Sequence, residues 1–303
     1  MAVRAEQAGR STRAARRRLS AAFWRRPWLH GLTQLGPPAG IFLAVYIAAI
    51  AVLFVSAFWT LDPLSGEIVH DWGFQNFKTL WHEHVYWRIA GRTIGIAAAV
   101  TVTDIILAFP FAYFMARLAS PRLRTVLFVL VLLPLWSSYL ARIYAWRLIL
   151  SNDGALNWSL GGLGLPHQHI AYTNWAMWIV FSYIWLPFMI LPIYAALERI
   201  PDNFIEASRD LGAKNWTTFR RVVLPLALPG VIAGSIFTFS LTLGDYITPI
   251  LVGNTQFIGN VVYRNVLGLS YDLPFAAAFA IVPLAVMGIY LVLARRAGAF
   301  EAL

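Results

Sequence analysis

Six long apolar stretches constrain this chain more than any other feature of its sequence. A helix needs roughly 20 predominantly apolar residues to cross the hydrocarbon core of a bilayer, and each stretch supplies about that length. They cover about residues 41–59, 93–115, 125–150, 175–196, 226–251 and 275–294. Hydrophobic residues make up 59% of the chain and charged residues only 13%, which excludes an ordinary soluble globular protein. The sequence therefore predicts an all-α, polytopic membrane protein with six transmembrane helices.

The polar segments around these spans predict the domain organisation. We expect a cytoplasmic Arg-rich tail at residues 1–37, a six-span membrane domain at 38–297 and a short tail at 298–303. Residues 1–26 hold eight arginines and one acid, Glu6. That run is too long and too charged for a cleaved signal peptide, and no short apolar core with a cleavage site follows it. We interpret it as an anchor held near anionic lipid.

The distribution of basic residues predicts the orientation. Of the 24 Lys and Arg residues, 18 lie in the N-terminal tail, the turn after the second span, the segment after the fourth span and the C-terminus. Cytoplasmic loops of membrane proteins carry the excess of Lys and Arg. Both termini and these two segments are therefore expected in the cytoplasm.

The sequence also excludes several kinds of chemistry. There are no cysteines, which rules out disulfides, zinc–thiolate sites and iron–sulfur clusters. Neither Lys78 nor Lys214 follows a glycine, so neither completes a phosphate-binding loop. No Gly-x-Ser-x-Gly or His-Glu-x-x-His motif occurs. The histidine pairs at 82/84 and 167/169 are interpreted as solvated loop residues rather than metal ligands. We expect no enzyme activity, cofactor or metal in this chain itself.

The polar segment at residues 199–225, here called the elbow, predicts a helix–turn–helix on one membrane face. Asp202 or Asn203 would cap a short helix that carries Glu206 in its first turn, where a carboxylate complements the helix dipole. Gly212 would supply a left-handed turn. A second helix would follow from about residue 215, and the prolines at 225 and 229 suit the first turn of the next span. Such an elbow presents a rigid, charged surface to which a soluble partner protein could bind.

Three ionisable residues lie well inside the predicted spans, away from their ends. Burying such a group near the bilayer centre costs about 2.5–3.5 kcal/mol, so it usually faces a cavity or a partner. Asp245 lies in span five between the helix-breaking Gly244 and Pro249, Asp104 lies in span two, and Arg142 lies in span three. Two interpretations stay open: an anionic, aromatic translocation path suited to a cation, or a buried pair of Arg142 with Asp245 or Asp104. The second is preferred for Asp104 and Arg142.

The first interpretation predicts a substrate path built from acidic, aromatic and hydroxyl side chains. A cation leaving water would find ion pairs and cation–π contacts there, the latter worth about 0.5–2 kcal/mol each. The predicted path residues are Asp104, Trp136, Ser137, Tyr139, Arg142, Asp245 and Tyr246.

The elbow resembles the EAA loop of ATP-binding-cassette (ABC) importer permeases. That loop reads Glu-Ala-Ala, three residues, Gly, nine residues, then Ile-x-Leu-Pro, and this chain departs from it only at Ser208 and Val222. The matching residues are Glu206, Ala207, Gly212, Leu224 and Pro225.

A wider resemblance, over about residues 40–295, is to spermidine/putrescine-type permeases. It rests on LPLWSSYLARIYAW at 133–146, NDGALN at 152–157 and LPFMILPIY at 186–194. The Arg-rich extension lies outside it. Similar permeases import other small organic nitrogen compounds, including opines and aminophosphonates, so the resemblance indicates the transport class more closely than the substrate.

The resemblance implies a type I ABC importer permease with the MetI-like fold, in the bacterial inner membrane. Its partners would be two ATPase subunits that bind ATP and Mg, an extracytoplasmic solute-binding protein, and either a second permease or a second copy of this one. The polyamine resemblance favours a heterodimer. Coupling to the ATPase would fall on the residues of the elbow's first helix and turn: Glu206, Ala207, Ser208, Asp210 and Gly212.

Two other classes were weighed against the importer. An ion-coupled secondary transporter could use Asp104 and Asp245 as relay groups, but many such carriers have twelve spans in two repeats, and the elbow has no role in them. A membrane enzyme would need a catalytic constellation, which the sequence lacks.

Overall fold

The computed structural model describes residues 27–62, 64–268 and 271–296, with side chains from residue 34 onward. The Arg-rich run at 1–26 and the C-terminal tail at 298–303 lie outside the described residues. The chain divides into two compact units at Val55. The first contains helix α1, Pro27–Ser56, whose segment Gln34–Ser56 is long and apolar enough to cross a membrane. The helix thus begins within the segment predicted as tail.

The second unit contains the other helices and one small ribbon. The ribbon pairs strands β1, Thr60–Leu61, and β2, Ile68–Val69, in antiparallel register with Thr60 opposite Val69. The helices are α2 Gln75–His82, α3 His84–Tyr113, α4 Pro121–Trp136, α5 Tyr139–Leu150, α6 Ala155–Gly162, α7 Asn174–Glu198, α8 Asp202–Asp210, α9 Asn215–Thr218, α10 Leu224–Gly244, α11 Ile247–Leu251, α12 Ile258–Leu267 and α13 Leu273–Arg296. Short π-helical turns extend α3 through Phe114–Leu118 and join α9 to α10 through Phe219–Val223.

The helices of the described residues support the prediction of six spans. Five are long and apolar enough to cross a membrane: Gln34–Ser56, His84–Leu118, Asn174–Glu198, Asn215–Gly244 and Leu273–Arg296. The sixth is a bent pair, Pro121–Trp136 followed by Tyr139–Gly162, with 94° between its halves.

The third span therefore differs from the single helix expected at 125–150. The backbone turns extended at Ser137 and Ser138, with ψ values of 152° and 133°. The amide and the hydroxyl of Ser137 both donate to the carbonyl of Pro134, at 3.2 and 2.8 Å. Serine side chains that bond nearby backbone groups compete with the helical ladder. The chain thus ends one helix and starts another within the predicted span.

The fifth span also has different ends from those expected. Its helix stops at Gly244 instead of continuing to residue 251, because Asp245 is extended, with ψ 130°. At the other end α10 begins at Leu224, with Pro225 in its first turn as expected, whereas Pro229 lies inside the helix. The span as a whole is continuous from Asn215. Proline has no N–H to donate, and the π turn Phe219–Val223 lies directly before Leu224 and Pro225, where the regular α-helical pattern resumes.

The core is built where α3, α7 and α10 pack together. One cluster of buried residues, near the elbow, includes Met115, Ile193, Leu197 and Val223. The helices α7 and α10 approach closely at Gly230, where an added Cβ would lie 2.6 Å from the carbonyl oxygen of Pro192. Small residues at such crossings let membrane helices pack backbone to backbone.

At the opposite end of the unit, polar side chains organise the ribbon. Asp62 accepts hydrogen bonds from the amide of Leu64 and the hydroxyl of Ser65, both at 2.9 Å. These donors favour the charged carboxylate, so the pKa of Asp62 lies below its ordinary value. Asn76 donates to the carbonyls of Ala57 and Trp59 at 3.0 and 2.8 Å, which holds α2 beside the ribbon.

Candidate functional site

The elbow folds as the helix–turn–helix that its sequence predicts. Helix α8 ends in a turn where Gly212 has φ +79°. The amide of Ala213 donates to the carbonyl of Ser208 at 3.1 Å. The amide of Gly212 donates to the carbonyl of Arg209 at 2.8 Å. These two bonds form a Schellman motif, in which a residue in the left-handed region closes the helix. The second arm starts at Asn215, as expected.

The start of the elbow corrects the expected cap. Helix α8 begins at Asp202, and its N-cap is Pro201, which makes no side-chain cap. Neither Asp202 nor Asn203 caps the helix, and Glu206 lies in the second turn rather than the first. The physical reason is that the Asp202 carboxylate is bound to Arg117.

The predicted coupling residues lie on one accessible surface. Glu206, Ala207, Asp210 and Gly212 are exposed, and Ser208 is half-buried. The Ser208 hydroxyl lies 3.0 Å from the hydroxyl of Thr218, which joins the two arms of the elbow. Within the described part of the chain, Glu206 makes no hydrogen bond or ion pair. Its carboxylate is free to meet a basic group on another protein.

Arg117, on the π turn after α3, holds the base of the elbow. Its Nη1 lies 2.6 Å from Oδ1 of Asp202. Its Nη2 donates to the carbonyl of Leu197 at 2.7 Å and to that of Ile200 at 2.5 Å. A guanidinium suits this role, since it presents several donors in a fixed planar fork. The contact also places the turn after span two and the elbow at the same end of the bundle.

Arg124 makes a second set of contacts nearby. Its Nε and Nη2 donate to the carbonyls of Met115 and Ala116 at 3.1 and 2.9 Å. Its Nη1 lies 3.6 Å from Oε1 of Glu198, which also accepts from the hydroxyl of Tyr194. From the sequence both arginines were expected only as basic loop residues. The acids that they meet, Asp202 and Glu198, lie far away along the chain, so no local pattern could have indicated these pairs.

Asp245 lies at the break after α10, where its carboxylate is held by four donors. Oδ1 accepts from the amides of Ile247 and Thr248, at 2.8 and 3.3 Å. Oδ2 accepts from the hydroxyl of Thr248 at 2.7 Å and from the hydroxyl of Tyr139. The side chain is only 8% exposed. Asp245 therefore accepts from the first two amides of the short helix α11, whose N-cap is Tyr246, and ties that helix to α5. It lies outside the long helix of span five.

Two stacked aromatic pairs include neighbours of this carboxylate: Tyr139, which binds it, and Tyr246, which follows it in the chain. The ring of Tyr139 stacks on Trp185, with 5.8 Å between centroids, and the ring of Tyr246 stacks on Tyr263, with 4.6 Å between centroids. The sequence analysis named Tyr139 and Tyr246 but missed Trp185, Tyr263 and Thr248. The spacing Asp-x-x-Thr at 245–248 was the one local signal available, because it is typical of a helix start.

Arg142 forms neither of the two ion pairs that were left open. Its guanidinium lies over the ring of Tyr139, 5.9 Å from the centroid. Nε and Nη1 are buried and have no hydrogen-bond partner among the described residues. The carboxylate of Asp245 is held by other donors and that of Asp104 does not meet Arg142, so the pairing hypothesis is wrong for this conformation.

The remaining predicted path residues lie apart from this cluster. Asp104 is fully buried in α3, and neither of its carboxylate oxygens has a hydrogen-bond partner in the described residues. Trp136 is 86% exposed at the end of α4, and the hydroxyl of Ser137 bonds to its own helix. The structure therefore brings together Tyr139, Arg142 and Asp245, with Tyr246 next to them in sequence.

Two cavities lie beside these features. An apolar cavity of about 400 Å³ adjoins the elbow, between Pro192, Phe204 and Pro229. A polar cavity of about 370 Å³ lies after α11 and is lined in part by Asn260 and Arg264. In the ranges that the structure describes, no group of three or more His, Asp or Glu side chains is close enough to hold a metal ion.

Comparison with known proteins decides which family has this elbow and these spans. Residues 108–298 match the family described as "Binding-protein-dependent transport system inner membrane component". The chain belongs to this family. The permease is thus the membrane component of an ABC importer, a subunit distinct from the ATPase, and it lies in the inner membrane.

Two relatives extend the match beyond the family region. The permease is 43% identical over 300 residues to the inner membrane ABC transporter permease protein YdcU of Escherichia coli, covering 94% of this chain and 95% of the relative. It is 36% identical over 217 residues to the spermidine/putrescine transport system permease protein PotB of Escherichia coli, covering 70% of this chain and 78% of the relative.

A solved structure has the same fold. The permease aligns with a chain of a bacterial ABC transporter involved in the import of the acidic polysaccharide alginate, with a TM-score of 0.72 and 21% sequence identity. The alignment covers 92% of this chain and 99% of the other. At this identity the likeness supports the expected type I importer permease fold.

Proposed function

We propose that this permease moves a polyamine such as spermidine or putrescine across the inner membrane, driven by ATPase subunits that dock on the elbow. One observation carries the coupling role: an exposed helix with an unpartnered Glu206, closed by the Gly212 turn and bound to the membrane helices at its base. The match to PotB supports the substrate class.

The complete importer needs other subunits that bind ATP, complete the membrane path and deliver the substrate. Two ATPase subunits would bind ATP and Mg and receive one elbow from each of two permeases. Glu206 would pair with a basic residue there, and the turn at Gly212 would permit close packing. A second, homologous permease would complete the path, and an extracytoplasmic binding protein would deliver the substrate. Both termini and the elbow would lie in the cytoplasm.

The polyamine would pass the carboxylate of Asp245 and the rings around it. Oδ1 of Asp245 accepts hydrogen bonds from backbone amides, whereas Oδ2 accepts them from the hydroxyls of Tyr139 and Thr248. An ammonium group can replace those hydroxyls on Oδ2 while the backbone bonds persist. The Tyr139 and Tyr246 rings would add cation–π contacts, and Trp136, Ser137 and Asp104 would belong to the path in other states.

ATP hydrolysis by the reconstituted complex tests this proposal. We expect binding protein loaded with a polyamine to stimulate hydrolysis in the wild type and not in Glu206→Ala. Glu67→Ala, which removes an exposed acid from the ribbon turn at the other end of the unit, is the matched control and should behave as wild type. Complete absence of ATPase association would instead favour an ion-coupled carrier that uses Asp104 and Asp245.

Substitution of Asp245 tests the path. Asn keeps the size and an oxygen for the backbone amides but removes the charge, so Asp245→Asn should lower polyamine uptake by about tenfold, which corresponds to about 1.4 kcal/mol of lost transition-state binding. Asp153→Asn, at an exposed position, serves as the control. Unchanged uptake and selectivity in Asp245→Asn would exclude Asp245 from the path.

One observation favours a second candidate substrate class. The two buried nitrogens of Arg142 without a partner suit a carboxylate or phosphonate, since a guanidinium binds such oxyanions in a bidentate manner. An opine or an aminophosphonate carries both an amine and such a group. Stimulation of ATP hydrolysis by binding protein loaded with one of these compounds, and not by a polyamine, would select this candidate.

A further inference from the structure

The guanidinium of Arg117 joins three parts of the permease that are distant in sequence. It starts from the π turn Phe114–Leu118 at the end of span two. It donates to the carbonyls of Leu197, in the last turn of span four, and of Ile200, just after that helix, and it binds Asp202 in the first turn of the elbow helix. The Arg117 side chain is 12% exposed, and the Asp202 side chain is 81% exposed. The inner part of the contact is therefore protected from water, where electrostatic contacts are stronger.

This contact adds a charged donor at the end of α7, where the carbonyl of Leu197 also accepts from the amide of Ile200 at 3.3 Å. The last carbonyls of a helix have no intrahelical donor, and a cation there also complements the helix dipole. Without the guanidinium, Leu197 and Ile200 lose a charged donor. The elbow helix would then be joined to span four by the short connection around Pro201 and by the apolar packing of Ile205 against the core cluster.

We propose that Arg117 is a positioning residue that transmits movement of the elbow to the membrane helices. The proposal rests on the proposed function of the elbow. Movement of the ATPase subunits turns helix α8, and the Arg117 contact makes spans two and four move with it. When the contact is removed, the elbow still docks, but it rotates about Pro201 and ATP is hydrolysed without import.

The test measures ATP hydrolysed per molecule of solute imported, in proteoliposomes of the complete complex. Coupling between sites typically corresponds to a factor of 5 to 150, so Arg117→Met should raise this ratio about fivefold or more while ATPase subunits stay associated. Arg122→Met is the matched control, because Arg122 lies in the same basic turn, is exposed, and makes no hydrogen bond or ion pair with a described residue. Its ratio should equal that of the wild type.

Two milder variants distinguish transmission from simple support of the fold. Arg117→Lys keeps the charge opposite Asp202 but not the planar fork, and it should restore part of the coupling. Asp202→Asn removes only the charge pair at the exposed edge and should raise the ratio by a smaller factor. Both variants also decide the matter if Arg117→Met fails to assemble, since unchanged ratios in both would overturn the proposal.

Failure of this inference can be told apart from failure of the proposed function. If the elbow docks but Arg117 transmits nothing, Glu206→Ala loses stimulated hydrolysis while Arg117→Met keeps the ratio of Arg122→Met. If the elbow does not dock, Glu206→Ala also behaves as wild type. Loss of hydrolysis and import in equal proportion in Arg117→Met, with an unchanged ratio, would likewise overturn the inference.

Discussion

At the scale of single residues, Gly212 and Asp245 show how one side chain fixes a local backbone. Gly212 has φ +79°, a region that residues with a Cβ enter at a cost of roughly 1–2 kcal/mol. Asp245 holds two backbone amides and two hydroxyls at a break between helices. Each therefore gives a prediction that concerns one residue.

Substitution of Gly212 should strain the elbow without any steric clash. An added Cβ would meet no atom within 4 Å, so Gly212→Ala changes only the backbone energy, by about 1 kcal/mol. We expect faster hydrogen exchange at the amides of Gly212 and Ala213 and weaker stimulation of ATP hydrolysis. Gly91→Ala also adds a methyl group in open space but lies within a helix, and it should show neither change. Unaltered exchange in Gly212→Ala would contradict the conformational argument.

Removal of the Asp245 side chain should destabilise the whole unit. Ala at this position loses a cap worth about 1 kcal/mol and leaves buried donors without an acceptor, at about 1–3 kcal/mol. We expect the thermal midpoint in detergent, followed by tryptophan fluorescence, to fall clearly for Asp245→Ala and less for Asp245→Asn. Equal midpoints for the two variants would show that the Oδ1 bonds to Ile247 and Thr248 contribute little.

At the scale of helices, the contact between α7 and α10 depends on two glycines four residues apart. Added Cβ atoms would lie 2.5 Å from Cβ of Ala196 at Gly230, and 3.1 Å from the carbonyl oxygen of Met189 at Gly234. The sequence contains this Gly-x-x-x-Gly pattern, but the face against which it packs is decided by the arrangement of the helices.

Widening this contact should destabilise the bundle. Overpacking typically costs about 1–3 kcal/mol, so Gly230→Ala should lower the thermal midpoint of the permease in detergent. Gly244→Ala is the control, since nothing lies within 4 Å of its added Cβ. If both variants had the thermal midpoint of the wild type, the prediction that α7 and α10 pack closely at Gly230 would be wrong.

The third span shows what hydropathy leaves undetermined at this scale. Residues 125–150 are apolar enough for one helix, and the sequence analysis predicted one. The structure breaks it at Ser137 and Ser138 and turns the second half by 94°, so that Tyr139 can reach Asp245. Hydropathy measures the cost of placing residues in lipid, and it carries no information on the direction of a helix.

At the scale of the whole molecule, the orientation in the membrane can be tested directly. The chain has no cysteine, so a single introduced cysteine is a unique label site. Leu64→Cys, on the ribbon turn, should react with a membrane-impermeant maleimide in intact cells. Asn203→Cys, on the elbow, should react only after permeabilisation. The reverse pattern would overturn the orientation inferred from the positive-inside rule.

Features that depend on near neighbours along the chain can be predicted without knowing the fold. Long apolar runs fixed the number of spans, basic residues predicted their orientation, and the short pattern from Glu206 to Pro225 predicted a helix, a left-handed glycine turn and a second helix. Each of these features reflects a free-energy cost that depends on local sequence. The costs are those of exposing apolar surface to water, of placing a charge in lipid and of placing a residue with a Cβ at positive φ.

Only the tertiary structure decided which distant groups meet. Arg117 binds Asp202, 85 positions away along the chain, and Tyr139 binds Asp245, 106 positions away. Arg142 could pair with either Asp104 or Asp245 on sequence grounds, and it binds neither. A buried polar group needs a hydrogen-bond partner, and the sequence shows which residues have this requirement. The choice of partner follows from how the helices bend and cross, because that geometry sets the distances between side chains.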